Sequence, residues 1–410
     1  MHRSGTSLLS GLLGHIGFEH SDRLMPANFA NPAGFWEPAE VVNLNNRLLV
    51  HKQRYWADPK PPSFDTTPSV SEELMAQEAT QLIGNEIERK QSLVLKDPRL
   101  SRLLPFWRPV LKQLELNTAA MISCRSPMET VASLQARDGL EVDHALALWV
   151  GHMIEAERGS RGMQRVLVTY GDLLDDPVRT LTQAADAARL TPKIEPTAAA
   201  AQLSSFADQG ARHHRASASD IPRETFFGGL AAQMFELLNR DRGLDDWASF
   251  DDLANQWNTH WAKTSPGNGP SELAQGQAAW HHQRAAVLRQ NPATIHQAFS
   301  AAEEATRRSP LVNQHHVLFA QIALAVGAPK IAIDAAQTAL DLGADTFAAH
   351  ATLSHAAARL GENHRALEAA RECLRLSPEA AGMKQLLGDL LRRIEEADPL
   401  RVKRTIGKES

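Results

Sequence analysis

The sequence predicts an α/β layered domain over residues 1–262 and an all-α array of helical repeats over 279–398. Two patterns carry that expectation. Three short apolar runs, SLVLK (92–96), AAMISC (119–124) and RVLVTY (165–170), alternate with stretches of helical periodicity. Buried parallel strands and their crossover helices read this way. Beyond residue 278 the chain is rich in alanine and leucine and repeats itself at a fixed interval. Between the two regions KTSPGNGPSELAQG (263–276) is dense in Pro, Gly and Ser, which places a linker at 263–278.

The chain opens on MHRSGTS and runs directly into LLSGLLGHIG, an amphipathic helix pattern. Small residues expose backbone N–H groups, and the helix N-terminus adds partial positive charge, so a dianionic group can dock there. The second glycine and the lysine of GxxxxGK[ST] are absent, which argues against a nucleoside-triphosphatase loop. No strand ending in an aspartate for Mg²⁺ follows either. Across the 410 residues the formal net charge is −5, so nothing pulls the whole chain toward nucleic acid or an anionic membrane. Any anion site is therefore local.

Cys124 and Cys373 fall in different predicted domains, which argues against a disulfide framework and for a reducing cytoplasm. No window approaches the ~18–20 apolar residues of a membrane span. The first residues also lack the apolar core of a secretory signal.

In the C-terminal region Ser309-Pro310 and Ser377-Pro378 lie 68 apart, twice 34. Gly327 and Gly361, Ala332 and Ala366, and Leu340 and Leu374 are each 34 apart. A 34-residue helix–turn–helix unit of this kind resembles the tetratricopeptide repeat. Units are expected at 279–312, 313–346 and 347–380, with a capping helix near 381–396 and a polar tail at 399–410. Stacking would bury what one unit cannot, and such an array points to a protein partner or to self-association.

Four separated pieces of residues 1–262 resemble the PAPS-dependent sulfotransferases (PAPS, 3′-phosphoadenosine 5′-phosphosulfate), with motifs closest to the tyrosylprotein branch. Arg3, Ser4, Gly5, Thr6 and Ser7 match the R-S-G-T-[ST] form of the 5′-phosphosulfate loop. The resemblance implies that their amides hold the phosphosulfate while Arg3 neutralises its oxygens. CRSPMETVASL (124–134) places Arg125 after a predicted strand and Ser133 eight positions on, which looks like the 3′-phosphate motif. A bidentate guanidinium and a hydroxyl suit a phosphate dianion.

LVLKDPR (93–99) resembles the family's Lys-Asp-Pro, whose lysine, here Lys96, faces the transferring sulfuryl group. VLVTYGDLLDDPVRTL (166–181) is similar to the V-x-Y-E-D-L segment, with Tyr170 near the nucleotide base and Gly171 in the glutamate position. The implied fold is a P-loop-like three-layer domain with a central parallel sheet. The implied relatives are bacterial proteins without a membrane anchor, and the implied location is cytoplasmic.

An acceptor hydroxyl must lose its proton as the S–O bond forms. NPAGFWEPAEVVNLNN (31–46) offers Glu37 and Glu40, with His20 upstream. Phe35 and Trp36 would partly desolvate Glu37, and a glutamate after the first helix is the base in the tyrosylprotein branch. Glu37 is the assignment; Glu40 and His20 remain open.

FADQGARHHR (206–215) gathers Arg212, His213, His214 and Arg215 as a basic cover for the 3′-phosphate, without metal-ligand spacing. No metal is expected. His281, His282, His315 and His316 fall in the repeats and read as packing.

The expected activity is transfer of a sulfuryl group from PAPS to a hydroxyl on tyrosine, sugar or lipid. The alternative is an interaction scaffold with an inactive catalytic domain. In the family this loop follows a buried strand that delivers it to the carboxyl edge of a parallel sheet, so the resemblance implies an apolar, β-branched run of about five residues before Met1.

Overall fold

The computed structural model describes residues 1–25, 34–138, 140–209, 218–264 and 277–397. The chain divides into two compact units, Met1–Ala274 and Gln275–Ser410. Both are mostly helical, and the first also holds a small parallel sheet. Among the described residues no helix is long and apolar enough to cross a membrane.

The first unit begins with α1 (Thr6–His15), α2 (Ala39–His51), α3 (Val70–Ile87) and α4 (Leu100–Gln113). Strand β1 (Ala119–Cys124) leads through α5 (Pro127–Asp138) and α6 (Val142–Ser160) to β2 (Gln164–Thr169). Then come α7 (Tyr170–Asp175), α8 (Pro177–Ala187), α9 (Ala200–Gln209), α10 (Phe226–Arg240) and α11 (Trp247–Thr264). β1 and β2 pair in parallel from Ala119 opposite Gln164 to Cys124 opposite Thr169.

Helices cover the sheet as an apolar pleat requires. Val94, Met121, Val166 and Val168 pack with Leu8, Leu9 and Leu12 of α1 and with Leu181 and Leu203. Leu93 and Leu95 instead pack with α2, α3 and α4, around Leu44, Ile83 and Trp107. Successive residues at 93–95 thus face opposite layers, the period of a strand.

That segment corrects one expectation, since 92–96 is extended but is not a strand of the sheet. Its backbone bond is Val94 N–H to the Glu19 carbonyl, 2.7 Å. A cavity of about 770 Å³ lies between it and β1. The third run also ends one residue early. Thr169 caps α7 by accepting from Asp172 N–H at 3.2 Å, so Tyr170 is the first residue of a helix.

Helix α3 starts at a capping box. Ser69 Oγ accepts from Glu72 N–H, while Glu72 Oε2 accepts from Ser69 N–H at 3.0 Å. Lys52 Nζ adds an ion pair at 2.6 Å. Burial alone would raise the Glu72 pKa; the bonds from Lys52 and Ser69 outweigh it and hold it at about 2, against 4.5 ordinarily. A depressed folded pKa contributes stability that is complete above the unfolded value and is lost as pH falls through the folded one. Glu72→Gln is therefore expected to lower the thermal midpoint at pH 7, with the difference closing between about pH 4.5 and pH 2. Melting curves of both proteins across that range check this.

In the second unit the helices are α12 (Ala278–Leu288), α13 (Ile295–Arg308), α14 (Asn313–Ala325), α15 (Pro329–Asp341), α16 (Phe347–Arg359), α17 (Asn363–Leu376) and α18 (Ala381–Ala397). Consecutive helices pack on one another. The 34-residue interval has a conformational cause. Gly327 and Gly361 turn α14 into α15 and α16 into α17 at φ of 83° and 77°, a region that glycine enters without penalty. Ala332 and Ala366 are fully buried where helices meet. Ser309 and Ser377 stop α13 and α17, each before a proline. His282 and His315 pack ring to ring, centroids 5.0 Å apart.

Candidate functional site

The loop ahead of α1 has left-handed backbone at Arg3, φ 64°, and at Gly5, φ 84°. Gly5 is the N-cap of α1 and no side chain caps that end. The first-turn N–H groups are thus left for another partner. Ser123 Oγ donates to the Ser4 carbonyl at 2.7 Å, tying the loop to the carboxyl end of β1. Ser4 Oγ is buried and finds no hydrogen-bond partner among the described residues. A buried hydroxyl without a partner carries a desolvation cost that a bound acceptor would relieve.

Gly5 sits against Tyr170, and a Cβ there would lie 2.5 Å from Tyr170 Cδ2. Gly5→Ala combines that clash with a left-handed backbone costing about 1–2 kcal/mol. It is expected to lower the thermal midpoint and weaken anion binding. Gly5→Ala combined with Tyr170→Ala should regain only part of the midpoint, because the backbone term persists. Circular-dichroism melting separates the two contributions.

Arg3, Arg125, Ser133 and Tyr170 meet at this loop. Arg3 Nε donates to Ser133 Oγ at 2.7 Å, across 130 residues of chain. The Arg125 guanidinium lies over the Tyr170 ring, 4.5 Å from its centroid. Its Nε donates to Glu129 Oε2 at 2.8 Å, and Nη1 reaches toward the Arg3 carbonyl at 3.5 Å. Trp149 Nε1 donates to the Arg125 carbonyl at 3.0 Å and fixes the backbone. Burial, then Arg137 and Arg125, lowers the Arg3 pKa. Glu129 pairs with Arg125 alone, while Arg3 feels Arg137 and Arg125 on one side and the Asp138 carboxylate on the other. The arrangement suits an added anion.

Lys96 joins this loop to the segment before α2. Its Nζ donates to Glu37 Oε1 at 2.6 Å, to the Phe35 carbonyl at 2.8 Å and to Ser7 Oγ at 3.3 Å. Lys96 and Glu37 are both buried, and burial lowers the lysine pKa while Glu37 opposes that shift. An antiparallel bridge between Leu24 and Pro38 holds Glu37 in place. It is flanked by Met25 N–H to the Glu37 carbonyl, 2.7 Å, and Ala39 N–H to the Arg23 carbonyl, 2.9 Å.

The other two base candidates sit elsewhere. Glu40 points outward from α2 and pairs with Arg23 at 2.9 Å, half exposed. His20 Nε2 lies 3.0 Å from Ser10 Oγ, and its ring packs on Trp36 at 4.8 Å. Burial lowers the His20 pKa, which leaves the imidazole neutral near pH 7.

A buried chain of polar groups that the sequence did not single out stands behind Lys96. Trp107 Nε1 donates to Asn45 Oδ1 at 2.8 Å, and Asn45 Nδ2 donates to Asp97 Oδ2 at 2.9 Å. Asp97 Oδ1 accepts from Arg99 N–H and Nη1 at 2.8 and 2.9 Å, and Arg99 Nη1 lies 3.9 Å from Glu37 Oε2. The Asp-Pro-Arg after Lys96 was the available signal; Asn45 and Trp107 offered none. The basic stretch Arg212, His213, His214 and Arg215, most of the linker and the tail lie outside the described residues.

Among known proteins, no family model matches the chain and no curated protein matches it. A solved structure titled "Crystal structure of MamA protein" aligns over 42% of this chain and 91% of its own, at 14% identity and a TM-score of 0.25. A likeness that slight carries no argument here.

Proposed function

We propose that residues 1–262 bind PAPS and transfer its sulfuryl group to a hydroxyl acceptor. One observation carries the reading. Lys96 touches Ser7 of the anion loop and Glu37 of the neighbouring segment at once, while Arg3, Ser133, Arg125 and Tyr170 close on the same loop. The residues present suit the co-substrate: an uncapped helix start at Gly5, an orphan Ser4 hydroxyl and the Arg3 and Arg125 guanidiniums converging on the same loop.

Bound there, PAPS supplies the activated sulfuryl group and leaves as adenosine 3′,5′-bisphosphate. Ser4, Gly5, Thr6 and Ser7 offer N–H groups to the 5′ end. Arg125 and Ser133 bind the 3′-phosphate, and the Tyr170 ring holds Arg125 in orientation. Lys96 and Arg3 neutralise negative charge as it moves to the leaving phosphate, in a site that excludes water. Glu37, released from Lys96 as the lysine turns to its anion, accepts the acceptor's proton. No metal enters this scheme. The repeats would bring a protein partner, an acceptor or a second copy, and the chain would work in the cytoplasm.

The test is transfer of labelled sulfate from PAPS to a panel of phenolic, sugar and lipid hydroxyls, with Glu37→Gln and His20→Gln beside the parent. Loss in Glu37→Gln alone supports the assignment. Loss in His20→Gln alone moves the base to His20. No transfer, together with no thermal shift from adenosine 3′,5′-bisphosphate, favours the scaffold reading.

A further inference from the structure

The helical repeats carry paired histidines, His281-His282 and His315-His316, at the same positions of consecutive 34-residue units. Stacking brings the second of one pair against the first of the next. His282 of α12 and His315 of α14 lie with ring centroids 5.0 Å apart and planes inclined at 39°. Both helices belong to the second unit, so the two rings share one packed interface.

Each ring buries its Nδ1 and leaves it without a hydrogen-bond partner among the described residues. His315 is only 8% exposed. The carbonyls of Ala305 and Ser309 bond the other side of that ring and oppose the lowering of its pKa by burial. A ring that donates one N–H to a carbonyl keeps a lone pair on its other nitrogen, the arrangement a metal-bound histidine takes. Burial, then His315 and Arg289, lowers the His282 pKa to about 4. That imidazole is therefore neutral at pH 7 and can offer its buried nitrogen's lone pair. Two buried acceptors with no donor between them carry a desolvation cost. A cation relieves both at once.

The spacing of the rings selects the ion. A metal bonds about 2.0–2.1 Å from an imidazole nitrogen, and the ring centre lies about 1.15 Å beyond on the same line. A tetrahedral angle then sets two centroids about 5.2 Å apart, and the right angle of a square-planar ion about 4.5 Å. The observed 5.0 Å lies nearer the tetrahedral value. Zn²⁺ favours that geometry, and imidazole suits it. Among the described residues no group of three or more His, Cys, Asp or Glu side chains is placed to share a metal. Two positions on the ion thus fall to water. Arg289, whose charge His282 feels, opposes a cation, so the affinity is modest.

We propose that His282 and His315 form a Zn²⁺ site, each through Nδ1, that ties α12 of the first repeat to α14 of the second. The ion would lock the opening helix of the array onto its neighbours. The site lies in the repeats and stands apart from the sulfotransferase reading.

The test titrates Zn²⁺ into the chelator-treated 410-residue chain and into His282→Phe, His315→Phe and His316→Phe. Phenylalanine keeps a ring in the packing and removes both nitrogens. The parent is expected to bind one ion with micromolar affinity and to gain thermal midpoint as the ion is added. His282→Phe and His315→Phe should each lose at least about tenfold in affinity, a loss that even an outer partner of a metal ligand causes. His316→Phe removes an imidazole bonded to the Pro310 carbonyl at 2.7 Å and should bind as the parent does. The chain holds 17 histidines, so diffraction from crystals with one equivalent of Zn²⁺ fixes the place. An anomalous peak about 2.0–2.1 Å from both Nδ1 atoms supports the site even where a Phe variant fails to fold. No uptake by the parent, unchanged affinity in both Phe variants, or a peak only at other histidines would overturn it. No readout depends on catalysis, so an inactive first unit leaves the outcome legible.

Discussion

Lys96→Met is expected to slow sulfuryl transfer about 10²–10³-fold and to destabilise the first unit. The two losses have different causes. Removing a preorganised charge at the reacting oxygens costs about 10²–10³ in rate. Leaving Glu37 buried without its 2.6 Å partner costs about 3–5 kcal/mol of stability. The pair Lys96→Met with Glu37→Gln separates them. Removing both charges together should restore most of the thermal midpoint, and the activity should stay low. A double variant as unstable as Lys96→Met would mean that Lys96 matters for packing rather than for its pairing.

Arg125→Ala is expected to weaken binding of adenosine 3′,5′-bisphosphate about 10–100-fold while affinity for 5′-AMP changes little. A hydrogen bond to a charged group contributes about 1.5–3 kcal/mol, and only the bisphosphate carries the group that Arg125 would grip. Arg125→Lys should recover little, because an ammonium has neither the fork nor the flat face that stacks 4.5 Å over Tyr170. Isothermal titration of both nucleotides against the three proteins gives the comparison. Equal losses for the two would place Arg125 in the support of the loop instead of at the 3′-phosphate.

The site is unevenly legible in the sequence. Arg3–Ser7, Lys96 and Arg125 are short patterns at the ends of helical or extended segments, where backbone geometry leaves a side chain few directions, and Ser133 lies within α5 at a fixed spacing from Arg125. They meet in space around the loop ahead of α1. Asn45 is one of three asparagines in α2 and Trp107 stands beside Phe106 in α4, so nothing in a linear pattern distinguishes either from its neighbours. The contact of Gly5 with Tyr170 spans 165 positions and has no local trace.

The fold shows the same division. The repeats are readable because the turn glycines Gly327 and Gly361 and the crossing alanines Ala332 and Ala366 recur at one interval. At 92–96 the apolar run correctly implied extended backbone with alternating faces. Periodicity reports a segment's own conformation and says nothing of its ladder partner. Here the neighbouring position is a cavity, so the segment stays outside the sheet.

The central claim is that the loop at Arg3–Ser7, with Arg125 and Ser133, binds an adenosine nucleotide through its 3′-phosphate. Calorimetric titration of the 410-residue chain with adenosine 3′,5′-bisphosphate and with 5′-AMP tests it most directly. The account predicts saturable micromolar binding of the bisphosphate, at least about tenfold tighter than the monophosphate, from one charge-assisted phosphate contact. Equal affinities for the two, or no heat from either, would contradict it.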